Sequence, residues 1–243
     1  MAMRRRIEPK RADAKRLRAG MTLIELMVVV GVLGVLGALA VPNIRAWAAD
    51  QRTKQAARSL ADALLVARTE AIRTGNNFIV YFGDPGTVDP AGNLVTYNGQ
   101  WVPLLVINDG APTASNCVID AGERFLGIAP IDNGPTWGVT EATAAVATDT
   151  GAAPFNPPPA PPWDGATFAD TANAKVNWLM FRPDGIPVGF SGAGASCGAV
   201  GATGSGGGAL YVTNGRREYG VVLTPLGGVR VHIWNPSSNQ WSS

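Results

Sequence analysis

The chain of 243 residues has a single histidine, two cysteines and, from Leu26 to Val41, no charged side chain at all. One imidazole, His232, cannot by itself build a histidine-rich metal centre, and a lone strand histidine is usually only a side chain. No Walker or dinucleotide glycine pattern stands between a strand and a helix, so nucleotide-dependent chemistry has no signal. Two cysteines, Cys117 and Cys197, allow at most one internal disulfide; two unpaired buried thiols are the alternative. Charge is sparse too, at 16% of residues, while 30 glycines and 18 prolines interrupt the chain. That balance fits a turn-rich, largely β exterior domain and argues against a helical bundle.

The charge that is present is sorted by position. Residues 1–20 carry +6, Ile44–Arg73 carries +3, and everything from Thr74 onward carries −6. Lysines and arginines ahead of an apolar segment stay on the cytoplasmic side, which puts the body of the chain across the membrane. An acidic body is a poor general binder of nucleic acid, because such binding needs Lys and Arg to neutralise phosphates.

Met21–Val41 is long enough to span a bilayer, and between Met21 and Ile44 only Glu25 ionises. A carboxylate near the bilayer core costs about 2.5–3.5 kcal/mol on insertion scales, so something must compensate it. The plainer alternative is that Glu25 snorkels to the interface or caps its own helix. A secretory signal would have its small residue after the apolar run; here Gly20 precedes it. Cleavage after Gly20 would therefore discard the basic leader and keep the membrane helix.

Gly20-Met21-Thr22-Leu23-Ile24-Glu25-Leu26-Met27-Val28-Val29 strongly resembles the processing site shared by type IV prepilins and type II secretion pseudopilins. The resemblance implies cleavage between Gly20 and Met21 by a prepilin peptidase, then N-methylation of Met21. It also makes Glu25 an assembly residue. In a filament its carboxylate can pair with the new ammonium of a neighbouring subunit, so that two buried charges satisfy each other and set the axial register. Family members often have Phe where this chain has Met21, and often carry a proline where it has Pro42.

Beyond Pro42, Ala57, Leu60, Ala61, Leu64, Leu65, Ala67 and Ala71 recur at three- and four-residue steps, which continues the helix on an amphipathic pattern. Thr74-Gly75-Asn76 reads as its stop. A helix from Thr22 to Arg73 would be about 75 Å long, with Pro42 a potential kink. The expected divisions are a cleaved leader over 1–20, a transmembrane helix over 21–42, an amphipathic stem over 43–75 and a periplasmic head over 76–243.

Within the head, β-rich runs cover Asn77–Phe82, Trp101–Asn108, Arg124–Ile128, Val176–Phe181 and Ile186–Phe190. Ala209–Thr213, Tyr219–Thr224 and Val229–Trp234, joined through Asn214-Gly215 and Gly227-Gly228, read as an antiparallel meander. The expected fold is thus α+β, a long amino-terminal helix packed on an antiparallel sheet. Helix, sheet and a closing Gly-Gly-Val-Arg-Val strand resemble the GspH/FimT family of minor pseudopilins and minor pilins. Residues 130–173, with Pro154–Pro162, read as an insertion forming a mobile loop. Gly192–Gly208 reads as a second flexible loop.

Signals for other chemistry are thin. Gly194-Ala195-Ser196-Cys197-Gly198 matches the nucleophile-elbow pattern, but no helical sequence follows it. Asp84, Asp89 and Asn93 could offer oxygens to calcium, though loop carboxylates are usually just solvated. Some minor pilins resembling this family capture DNA through a Gly-Arg-x-Arg closing strand; here only Arg230 of that motif is present. Arg216, Arg217 and Arg230 could cluster across the hairpins, or simply protect a strand edge.

The expectation is a non-enzymatic subunit with no catalytic set, cofactor or metal. Its partners would be prepilin peptidase, other pseudopilins or pilins in a helical filament, and an inner-membrane assembly platform, with nucleic acid unexpected. A low-copy place near the tip of a type II secretion pseudopilus is the first reading, and a minor type IV pilin the second.

Overall fold

The computed structural model describes residues 21–110, 113–128, 130, 134–149, 165–194 and 196–242. The leader, Gly20 and the proline run 154–162 lie outside them. The chain forms two compact units, one ending at Arg45 and the other beginning at Ala46.

Helix α1 runs Leu23–Thr74 without interruption, Pro42 included. In the first unit every residue from Met21 to Arg45 is exposed, and the helix is long and apolar enough to cross a membrane. The side-chain amide of Asn43 donates to the Leu39 carbonyl, one turn back across the proline. At the other end Gly75 adopts φ 72° and donates its N–H to the Ala71 carbonyl. Glycine enters this left-handed conformation without steric penalty, and it ends the helix.

In the second unit the strands are β1 (Asn77–Phe82), β2 (Thr96–Tyr97), β3 (Gln100–Trp101), β4 (Leu104–Asp109), β5 (Arg124–Ile128), β6 (Thr136–Trp137), β7 (Trp178–Phe181), β8 (Pro187–Val188), β9 (Gly208–Thr213), β10 (Glu218–Leu223), β11 (Val229–Asn235) and β12 (Gln240–Ser242). They form two five-stranded sheets, ordered β5-β4-β1-β7-β8 and β12-β11-β10-β9-β6, and a small ribbon of β2 and β3. The pairs within them are antiparallel, with Val80 opposite Val106 and Leu179 in the first sheet and Val221 opposite Leu210 and Val231 in the second.

The main core gathers Ala57, Leu60, Leu64, Ala67 and Ala71 of the helix against Phe78, Val80 and Phe82 of β1 and Leu210, Val221 and Leu223 of the second sheet. Small residues on the helix let it approach both sheets closely. The alternate residues of β1 and β4, Ile79, Tyr81, Leu105 and Ile107, build a second cluster on the other face with Phe190 and both cysteines. A third cluster puts Ala209, Tyr211, Val222 and Trp234 under Val139, Ala142 and Val146. Both faces of each sheet are thus partly covered, which is why β1 and β10 read as nearly continuous apolar runs.

Two expected loops are more built than the sequence implied. Residues 134–149 and 165–173 are not a free loop: β6 pairs with β9, Ala166 bridges Leu210, and Thr140, Glu141 and Ala142 donate backbone N–H groups to the buried Glu218 carboxylate. Within 192–208, Val200 bridges Phe190 and the Gly201 N–H donates to the Gly189 carbonyl.

Candidate assembly site

The helix start has a defined geometry. The Glu25 N–H donates to Thr22 Oγ1 at 3.3 Å, and the Thr22 N–H donates to Glu25 Oε2 at 3.4 Å. This reciprocal pair is a capping box, Thr at the N-cap and Glu three residues on, which satisfies amide donors that a helix start leaves open. Its signature, Thr22-Leu23-Ile24-Glu25, stands in the sequence. Both bonds are long and exposed, so Glu25 is held loosely and stays within reach of a stronger partner. Met21 precedes the helix and is exposed.

The single chain therefore uses Glu25 as a cap, one of the alternatives weighed from the sequence. Capping does not exclude pairing with a neighbour, because each carboxylate oxygen can accept more than one donor.

Cys117 and Cys197 are joined by a disulfide, S–S 2.07 Å and Cα–Cα 4.8 Å. The bond ties the loop after β4 to the loop after β8. Asp109 reaches within 4.8 Å of both sulfurs, but bonded sulfurs have no thiolate to offer a metal. Asp89 is equally committed: its carboxylate accepts from the N–H groups of Ala91, Asn93 and Ile119 and from Asn93 Nδ2. It fastens its loop, and both of its oxygens are engaged.

The arginines weighed for nucleic acid do not come together. Arg216 and Arg217 lie in the β9–β10 turn, where Arg217 Nε stands 3.9 Å from Asp50 Oδ2 and Asn214 Nδ2 donates to Asp50 Oδ1. Arg230 pairs with Val222 near the opposite end of β10; five residues of strand put about 16 Å between the two places. Ser196 donates its hydroxyl to the Ala193 carbonyl in an irregular loop with no helix after it. His232 Nε2 is buried without a hydrogen-bond partner, so no serine–histidine relay forms.

A different arginine has a structural place that the sequence reading missed. Arg68, half-buried on the helix, donates from Nε to the Gly185 carbonyl at 3.0 Å and from Nη1 to the Gly227 carbonyl at 2.9 Å. One guanidinium thus fastens a turn of each sheet to the helix. Gly227 has φ 80°, and a Cβ there would come within 2.7 Å of the Gly185 carbonyl oxygen and 2.9 Å of Arg68 Nε, which explains the first glycine of the pair ahead of the closing strand.

Residues 15–41 match the family model described as the prokaryotic N-terminal methylation motif. Fimbrial protein EcpC of Eikenella corrodens is 32% identical over 127 residues, spanning 50% of this chain and 73% of that protein. Pilin-like protein PilA1 of Thermus thermophilus is 52% identical over 110 residues, 44% of this chain and 57% of that protein. Type IV major fimbrial protein FimA of Dichelobacter nodosus is 41% identical over 61 residues, 25% of this chain and 38% of its own length. No solved structure matches the chain. With the methylation motif on a bare apolar helix and an antiparallel head behind it, the chain belongs to the type IV pilin-like proteins, whose precursors are processed by prepilin peptidase.

Proposed function

We propose that this protein is a minor structural subunit of a type IV pilin-like filament, anchored in the inner membrane with its head in the periplasm before assembly. The observation that carries the reading is the helix start: an exposed apolar run with one carboxylate, Glu25, four residues after Met21. Cleavage at Gly20–Met21 makes an ammonium, and neither that charge nor Glu25 is welcome in lipid. Stacked subunits let each carboxylate take the amino terminus of its neighbour, exchanging a weak cap for an ion pair. The inner-membrane assembly platform and the other pilins are the partners this implies.

The relatives are named as fimbrial and pilin-like proteins, which favours a pilus over the type II secretion pseudopilus as the filament. The minor, tip-proximal place rests on the elaborated head, whose additional segments over 134–149, 165–173 and 192–208 would crowd a densely repeated surface. Counting this subunit against the bulk pilin in sheared filaments by quantitative mass spectrometry tests the reading. A few copies per filament support it; finding it as the main component overturns it. Co-isolation with a secretion machine in place of a pilus motor would return the filament to secretion.

A further inference from the structure

Where the helix, β5 and β6 come together there is an apolar groove of about 320 Å³, a volume at the lower end of the range for ligand sites. Leu60, Trp101, Pro103, Ile128 and Trp137 build its walls, and Asp84 and Thr136 are its polar members. The two indoles differ in what they have. Trp137 Nε1 donates to the Gly83 carbonyl. Trp101 Nε1 is buried with no hydrogen-bond partner, and a buried donor left open is costly. The groove therefore lacks an acceptor, and its apolar walls are poorly suited to satisfying further donors.

A proline-rich segment meets both conditions. Each proline brings a carbonyl and no N–H, and extended proline segments dock on aromatic-lined grooves at little entropic cost. This chain contains such a run, Pro-Phe-Asn-Pro-Pro-Pro-Ala-Pro-Pro over 154–162. The described chain stops at Asp149 and resumes at Gly165. Asp149 accepts from the hydroxyls of Thr167 and Tyr211. Gly165 accepts the Tyr211 N–H and lies so close to Gly138 that a Cβ would strike the Gly138 nitrogen. Trp137, the residue before Gly138, is in the groove wall, so the chain resumes at the edge of the groove. The fifteen residues between, 150–164, cover up to about 50 Å when extended, which is ample for a path into the groove and back.

We propose that the proline run 154–162 docks in this groove within its own molecule, with one of its carbonyls accepting from Trp101 Nε1. Attachment at both ends gives the run an effective concentration in the millimolar range, so a modest intrinsic affinity keeps the groove filled. The inference is independent of which filament the subunit joins.

The test is calorimetric titration of a synthetic peptide of residues 152–164 into the full chain in detergent, either wild type or with 154–162 replaced by a Gly/Ser stretch of the same length. The expected result is saturable binding to the replaced chain and binding about tenfold weaker or more to wild type, whose own run competes. Trp101→Phe in the replaced chain keeps a ring and removes the N–H, and should weaken the peptide about 5–10-fold. A second peptide with alanine at every proline probes the same recognition without touching the fold, and should bind about tenfold more weakly. No binding to the replaced chain, equal binding to wild type and replaced chain, or equal binding of the two peptides would overturn the proposal. So would an unchanged affinity in Trp101→Phe. A wild-type affinity for the peptide that rises on dilution would also overturn it, because the occupant would then be a second copy.

Discussion

At the scale of single residues, buried acids and the one histidine give the head opposing pH dependences. For Glu123 and Asp109, which burial raises to about 7 and about 6, the folded state holds its proton more tightly than the unfolded chain, whose carboxylates titrate near 4. Between about pH 4 and 7 the folded state therefore binds more protons, and stability falls as pH rises through 6 and 7. His232 acts the other way. Burial, then Arg230, lowers its affinity for a proton, so its contribution is lost as pH falls below about 6.5. Unfolding should thus show a loss of about 1–3 kcal/mol between pH 5.5 and 8. Glu123→Gln should remove most of that slope, and an unchanged slope would show that the carboxyl is solvated. None of this was legible in the sequence: Asp109 and Glu123 are fourteen positions apart and meet only because β4 and β5 pair.

At the scale of elements, the helix and the two sheets depend on one guanidinium and one disulfide. Arg68→Ala should cost about 1.5–3 kcal/mol, since two hydrogen bonds from a charged donor are lost and two carbonyls are left open. Lysine should recover only part, because a point charge cannot reach both turns as a planar fork does. Thermal melts of the variants would decide. Removing the Cys117–Cys197 bridge, which closes 80 positions of chain, should cost up to about 4.5 kcal/mol in the chain-entropy limit. A reductant-induced drop in the melting midpoint, absent in Cys117→Ser/Cys197→Ser, checks it.

Element boundaries were readable where a residue type forces them. Gly75 stops the helix, and Asn77–Phe82 and Arg124–Ile128 are strands as expected. The run from Trp101 breaks in two because Pro103 has no N–H to donate. Thr136–Trp137 and Gln240–Ser242 are strands only because a neighbour's edge was free, and no local pattern announces that.

At the scale of the whole molecule, the processing site and the α+β plan were plain in the sequence because they rest on chemistry that is local in the chain. The leader, the small residue, the apolar run and Glu25 are contiguous. What the head touches is not local, and no strand pattern encodes it. A capping box lies at the start of that apolar run, over Thr22–Glu25, and it gives Glu25 a resting partner, Thr22, before any neighbour arrives. Thr22→Val should weaken the helix start by about 1 kcal/mol while leaving Glu25 free to pair, so filament incorporation should survive with Thr22→Val and fail with Glu25→Val. Comparing the two separates capping from assembly.

The most direct measurement is the fate of Glu25→Val in cells: membrane insertion, removal of residues 1–20, and incorporation into sheared filaments. The charge-pair account predicts a variant that is inserted and cleaved normally but absent from filaments, since breaking one side of a buried pair costs about 3–5 kcal/mol. Normal incorporation of Glu25→Val would contradict it.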